Sequence, residues 1–180
     1  MNEYIFRYLE KDEFESRGAE LFALMYSNMS VIAPFKNSYE VEEADWFRLY
    51  GGAFKNRAER KIVVIETHGS VKGFFGYCAD GEVFDMEEIQ FSPDIQGKSG
   101  LFRRLYGLVL GDIPHTVKYV EACANKENIR SQAILSRLGL KKTGQDDEKG
   151  IFFFRGELAD LLNWYNKKTT FFEGNNVTKL

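Results

Sequence analysis

Three strand-like runs follow one another with almost nothing between them, and that spacing restricts the fold more than any other feature of the chain. Residues 61–66 are β-branched, 71–79 are rich in aromatics, and 82–91 run on to Pro93. Only His68-Gly69-Ser70 and Asp80-Gly81 separate them. Links this short leave no room for a crossover helix, and their residues suit tight hairpins. The three runs are therefore predicted to form an antiparallel meander.

The flanking segments carry other periods. Residues 4–9 alternate and contain aromatics, which suits a first strand. Asp12 precedes a helical stretch whose apolar members Phe14, Leu21, Phe22 and Met25 recur near 3.6 residues. Pro34, Asn37 and Ser38 make 28–38 an irregular loop, a place for specificity or a plain connector. Ser38 is the expected N-cap of a second helix through Trp46 and Tyr50, ended by Gly51-Gly52. Helical spacing makes Tyr39, Trp46 and Tyr50 core residues first and acceptor-lining residues second.

Beyond the meander the pattern becomes strand–helix–strand: a helix over 101–111, a strand over 116–123, a helix over 125–138 and strands over 141–145 and 151–155. Leu158, Leu161, Leu162 and Tyr165 give the i, i+3, i+4, i+7 stripe of a last amphipathic helix. Its short link to the final strand favours packing on its own domain over a dimer contact. Asp146-Asp147-Glu148 reads as a solvated hairpin tip, and residues 169–180 as a flexible tail. Hairpins early and crossovers late imply a mixed α/β (α+β) fold. Its central twisted sheet of about seven mostly antiparallel strands has helices on both faces, in one domain over 1–168.

Composition excludes several classes. The chain has 180 residues, 44% hydrophobic and 28% charged, with a net charge of −3, so it is globular and has no field drawing it to nucleic acid. Its start lacks a basic-then-apolar signal pattern and no apolar run spans a bilayer, so a cytoplasmic protein without membrane contact is expected. The two cysteines, Cys78 and Cys123, sit in strand-like runs and are expected as buried, reduced thiols. His68 and His115 have no ligand-spaced companions, so no metal site is expected.

Two segments carry chemistry. After Ile89-Gln90-Phe91 and Pro93, the stretch Gln96-Gly97-Lys98-Ser99-Gly100-Leu101 joins a strand to a helix N-terminus. Such a turn aims backbone N–H groups and the positive end of a helix at an anion, although it also occurs as mere structure. The second segment starts at Asn128-Ile129-Arg130-Ser131 and runs through Leu138-Gly139-Leu140 to Gly144. From about residue 62 to 154 the order and these motifs resemble the GNAT N-acetyltransferases.

The resemblance implies a GNAT-like fold and acetyl-CoA as cofactor. Backbone groups at Ile89, Gln90 and Phe91 would pair with the pantetheine arm, residues 96–101 would hold the pyrophosphate, and Asn128 and Ser131 would touch the cofactor. Ser99 and Leu101 stand where the family has small residues, Gly100 lies one place late, and Leu135 stands where many members have a tyrosine acid. Leu101 is therefore expected to crowd the phosphates. The implied reaction is direct acetyl transfer to a primary amine of a small molecule or protein. The alternative is an inactive GNAT-fold binding or regulatory protein, and either would be a monomer or homodimer. Candidates for the base are Asp85, Glu87 and Glu88. Regular alternation puts Asp85 and Glu87 on one face with Ile89 and Phe91 and turns Glu88 away; a bulge would reverse this.

Overall fold

A computed structural model describes residues 3–98 and 100–173, with side chains to residue 167. It falls into two compact units, Met1–Ala79 with Met86–Asp112 and Asp80–Asp85 with Ile113–Leu180. The class is mixed α/β, with seven strands in a mostly antiparallel sheet. Among the described residues no helix is long and apolar enough to cross a membrane.

The first unit holds β1 (Ile5–Tyr8), β2 (Arg60–Thr67), β3 (Ser70–Asp80) up to Ala79, and β4 (Val83–Phe91) from Met86. β1 pairs antiparallel with β2, and β2 with β3. Thr67 lies opposite Ser70, so the β2–β3 loop is His68-Gly69, both at positive φ (49° and 77°). That is the two-residue hairpin the sequence predicts, closed by a turn whose twist matches its strands. β2 is buried from Ile62 to Thr67 because helices cover both faces of this unit. Phe74 packs with Ile62 and Val64 against α1 (Phe14–Ser30), through Phe14, Leu21, Phe22 and Met25. The next residue, Phe75, faces Tyr106 of α4 (Leu101–Leu110), with ring centroids 5.5 Å apart.

Two helix boundaries differ from expectation. α1 continues through Asn28 to Ser30, so the irregular stretch begins later. Ser38 does precede α2 (Tyr39–Trp46), in extended geometry, but its side chain makes no capping bond. Gly51-Gly52 do not end the helical run. A π-helical turn, Phe47–Gly51, follows α2, and α3 (Gly52–Asn56) continues from it. Packing overrides propensity here: a Cβ on Gly51 would stand 2.4 Å from the Phe14 ring, so glycine is what lets this turn lie on α1. The run stops at Arg57, which turns extended, and Lys11 Nζ donates to the carbonyls of Phe54 in the last turn and of Arg57 (3.0 Å) and Arg60 (2.7 Å) beyond it.

The second unit orders its strands β5 (Tyr119–Asn125), β7 (Ile151–Glu157) and β6 (Lys141–Asp146), both pairs antiparallel. It also holds the first residues of β4, and Glu82 O accepts from Lys118 N and Tyr119 N at 2.8 and 3.0 Å. α5 (Ile129–Arg137) ends at Gly139, whose φ of 97° returns the chain so that Leu135, Leu138 and Leu140 are all buried. At the hairpin tip Asp147 and Glu148 are exposed. Cys78 is buried, but Cys123 is exposed, against expectation: on β5 only alternate residues (Val120, Ala122, Ala124) face inward.

α6 (Leu158–Glu173) packs on β5 and β7 of its own unit, in keeping with the short link before it. Its stripe is narrower than the spacing implied, since Leu161 is fully buried while Leu162 is 37% exposed. Helix covers residues 169–173 of the expected tail, and 174–180 lie outside the described residues. Leu161→Ala is expected to cost about 2–5 kcal/mol in urea unfolding. Leu162→Ala should cost less than half as much; equal costs would mean that both leucines are covered.

Candidate functional site

The candidate bases lie on β4, and the strand does not alternate regularly through them. Met86 Sδ accepts from Tyr106 of α4 at 3.2 Å, and the Phe91 ring meets Phe102 of α4 at 6.1 Å. Between them, Glu87 bonds Arg60 Nε at 2.8 Å, and Arg60 shares the α1 side of β2 with Ile62 and Val64. Gln90 also reaches the α1 side, where Asn28 Nδ2 donates to its Oε1 at 2.8 Å. Residues 87 and 90 therefore face one way, and 86 and 91 the other. That requires one residue more than a regular strand has, a β-bulge. The expectation that Glu87 shares a face with Phe91 fails for this reason.

The bulge gathers polar groups on the apolar α1 side. Gln90, buried, passes its other end to Glu88, donating Nε2 to Oε1 at 2.5 Å. Burial pushes the Glu88 carboxyl up to about 7, the Glu87 charge adds to the rise, and the Gln90 bond opposes it. Glu87 is raised by burial too, but the Arg60 guanidinium works against the shift and holds it as an ion pair. Tyr50 from the π-helical turn closes the group. Its ring lies 5.8 Å from the Arg60 guanidinium, and burial together with Glu88 and Glu87 lifts its phenol well above the ordinary value. Asp85 lies in the second unit. Of Glu87 and Glu88, it is Glu88 that is poised near neutrality, with an amide partner in place of a cation.

The loop after β4 turns on two glycines. Gly97 and Gly100 have φ of 77° and 93°, and a Cβ on either would meet nothing, so the backbone is turned over an open surface. Gln96 Nε2 ties the loop to the strand at Phe91 O (2.9 Å), Lys98 Nζ reaches Tyr4 Oη (3.0 Å), and Gly100 caps α4 in left-handed geometry. Leu101 is buried on α4's inner face, so its side chain does not stand over the turn as the expected crowding requires. Ser99 lies outside the described residues. Ser92 N donates to Lys72 O at 2.8 Å, and Gln90 O would lie 2.8 Å from a Cβ on Gly73. Residues 90 and 92 thus address β3, and alternation aims the backbone of Ile89 and Phe91 away from it. Phe91 O already accepts from both Asn28 and Gln96, so an incoming strand-like partner would rely on the other groups.

Asn128 and Ser131 belong to the second unit, where Asn128 Oδ1 accepts from Ser131 N at 2.9 Å as the N-cap of α5. That oxygen is committed to the helix, so a cofactor contact would fall to the amide nitrogen or backbone. Leu135, at the position of the family's tyrosine, is buried. Sequence reasoning missed Asn28, Arg60 and Gln90's side-chain role. The bulge that assembles them leaves no signature in residue type.

No protein-family model matches the chain, and no curated protein does. Solved structures do match. An acetyltransferase from Thermus thermophilus is 14% identical with a TM-score of 0.64, over 87% of this chain and 99% of its own. A GNAT-family acetyltransferase from Staphylococcus aureus is 12% identical with a TM-score of 0.67, over 87% and 99%. The PaiA N-acetyltransferase of Thermoplasma acidophilum, solved in complex with coenzyme A, is 11% identical with a TM-score of 0.62, over 86% and 99%. The fold is the GNAT fold; at these identities the likeness shows the fold alone.

Glu88 makes the stability depend on pH in a fixed direction. Its carboxyl titrates higher in the folded chain than in the unfolded one, so the folded state binds the extra proton between about pH 4.5 and about pH 7. Folding stability from this group is present below that window and is lost as pH rises through it. Urea unfolding across the window should show Glu88→Gln gaining on the parent as pH rises. A constant difference would place Glu88 in ordinary solvent.

Proposed function

We propose that this chain is an acetyl-CoA-dependent N-acetyltransferase that moves the acetyl group directly to a primary amine. The observation that carries the reading is Glu88, a carboxyl raised to about 7 on β4 of a GNAT fold. A primary ammonium must lose a proton before its nitrogen attacks, and a base titrating near neutrality is matched to that task. Acetyl-CoA would supply the activated acetyl thioester: as the amine nitrogen bonds the acetyl carbonyl carbon, the C–S bond breaks and coenzyme A leaves as its thiolate. Glu88 takes the amine proton, held by Gln90, which Asn28 fixes in turn. The backbone at Ile89 and Phe91, aimed away from β3, lines the arm, and residues 96–101 receive the pyrophosphate at the α4 N-terminus. Glu87, tied to Arg60, keeps its charge and raises its neighbour.

A second reading, a GNAT-fold protein that binds without turnover, is favoured by one observation: Leu135 brings no proton donor to the position of the family's tyrosine. Two measurements separate the readings. Acetyl-CoA at 100 times its dissociation constant should stabilise the chain by about 2.7 kcal/mol, a clear rise in melting temperature. Glu88→Gln should lower kcat about 100-fold with that shift preserved, and the parent's kcat/KM should fall below about pH 7. A shift without turnover in the parent establishes the binding reading, and no shift refutes both.

A further inference from the structure

Three features of the first unit converge on one hydroxyl that no group among the described residues satisfies. The helical run over residues 39–56 turns π-helical at Phe47–Gly51, a distortion that often marks functional positions. Tyr50, in that turn, stacks on Trp46 with centroids 4.9 Å apart and points its hydroxyl at β3. There Gly76 makes room for it: a Cβ on Gly76 would sit 1.6 Å from Tyr50 Oη. Glycine inside a strand costs stability, so this notch is kept at some expense. Yet among the described residues Tyr50 Oη is shut from solvent without a hydrogen-bond partner, and so is Glu87 Oε2.

Buried donors and acceptors are almost always paired, so two orphans in one cluster imply a third party. Tyr50 and Glu87 are linked through Arg60, whose guanidinium lies 5.8 Å from the tyrosine ring and bonds the other carboxylate oxygen, and Glu88 follows Glu87 on the bulge. Tyr50, Arg60, Glu87 and Glu88 each keep partial exposure as residues, although Tyr50 Oη and Glu87 Oε2 themselves are shut from solvent. Three groups present oxygens: a phenol and two carboxylates. Burial, reinforced by Glu88 and Glu87, holds the phenol in its neutral form. A primary ammonium offers three N–H donors from one nitrogen and matches such a set. Trp46 and the Tyr50 ring supply an apolar wall beside it.

We propose that Tyr50 Oη and Glu87 Oε2 form, with Glu88, the seat of the acceptor's amino group, and that the acceptor is a primary ammonium on an apolar body. This rests on the acetyltransferase reading, since the seated nitrogen is the one Glu88 deprotonates. Tyr50 binds and orients it; Glu88 receives its proton.

The test reads binding without cofactor. The full chain carrying Trp164→Phe is titrated with benzylamine at pH 7.5, following Trp46 fluorescence, with benzyl alcohol as the uncharged control. A saturable change with benzylamine alone is expected, weakened about tenfold by Tyr50→Phe and by Glu87→Gln, the loss typical of a charge-assisted hydrogen bond. Tyr50→Phe removes an unsatisfied buried hydroxyl, so its melting temperature should equal or exceed the parent's. That combination, tighter folding with weaker amine binding, is one a purely structural tyrosine would not produce. Equal affinity in Tyr50→Phe, or equal binding of benzyl alcohol, overturns the proposal and leaves a trapped water as the third party. Benzylamine binding without acetyl transfer sinks the acetyltransferase reading while the seat stands.

Discussion

The side-chain relay from Asn28 through Gln90 to Glu88 depends on one extra residue in β4. Without it, Glu87 and Glu88 would face opposite sides of the sheet and Gln90 would meet α4's apolar face. With it, the polar demands of Glu87, Glu88 and Gln90 fall on the side where α1 supplies Asn28 and β2 supplies Arg60. Burying such groups among phenylalanines is costly unless each finds a partner, and here nearly every one does. The carboxylate with a cation beside it remains an anion; the one with only an amide moves toward neutrality. The chemical difference between neighbours on one strand comes from what the bulge lets each of them touch.

The parts of the fold that were legible in the sequence are those decided locally. His68-Gly69 makes a two-residue turn because both residues accept positive φ, and no tertiary contact is needed to know it. Gly139 as a helix stop follows from residue type as well, whereas the helix expected from residue 125 starts only after Asn128, which caps it. What was not legible is decided by packing. Gly51-Gly52 look like a helix end, yet Phe14 fills the space over Gly51 and the chain keeps winding. Leu162 looks like part of a stripe, yet β5 and β7 cover only its neighbour Leu161. Glu88 was among the candidate bases, but its orientation hung on a bulge that composition does not encode.

The loop after β4 shows how a departure from a family pattern can be absorbed. Reading Leu101 against the pattern puts a bulky side chain over the phosphates, whereas the structure puts it in the core of α4 and leaves two open, left-handed glycines to shape the turn. The backbone geometry, and not the position of each glycine in a motif, is what an anion meets.

Tyr50 and Gly76 lie 26 positions apart in sequence, yet they occupy one volume. The hydroxyl stands 1.6 Å from where any other residue at 76 would place its first side-chain carbon, so the two positions are not free to drift separately. An alanine at 76 demands a shorter side chain at 50 or a helix that winds differently there. Among descendants of this chain the pair should therefore change together or not at all. Covariation between the π-helical turn and the middle of β3 would record that shared space without a solved structure.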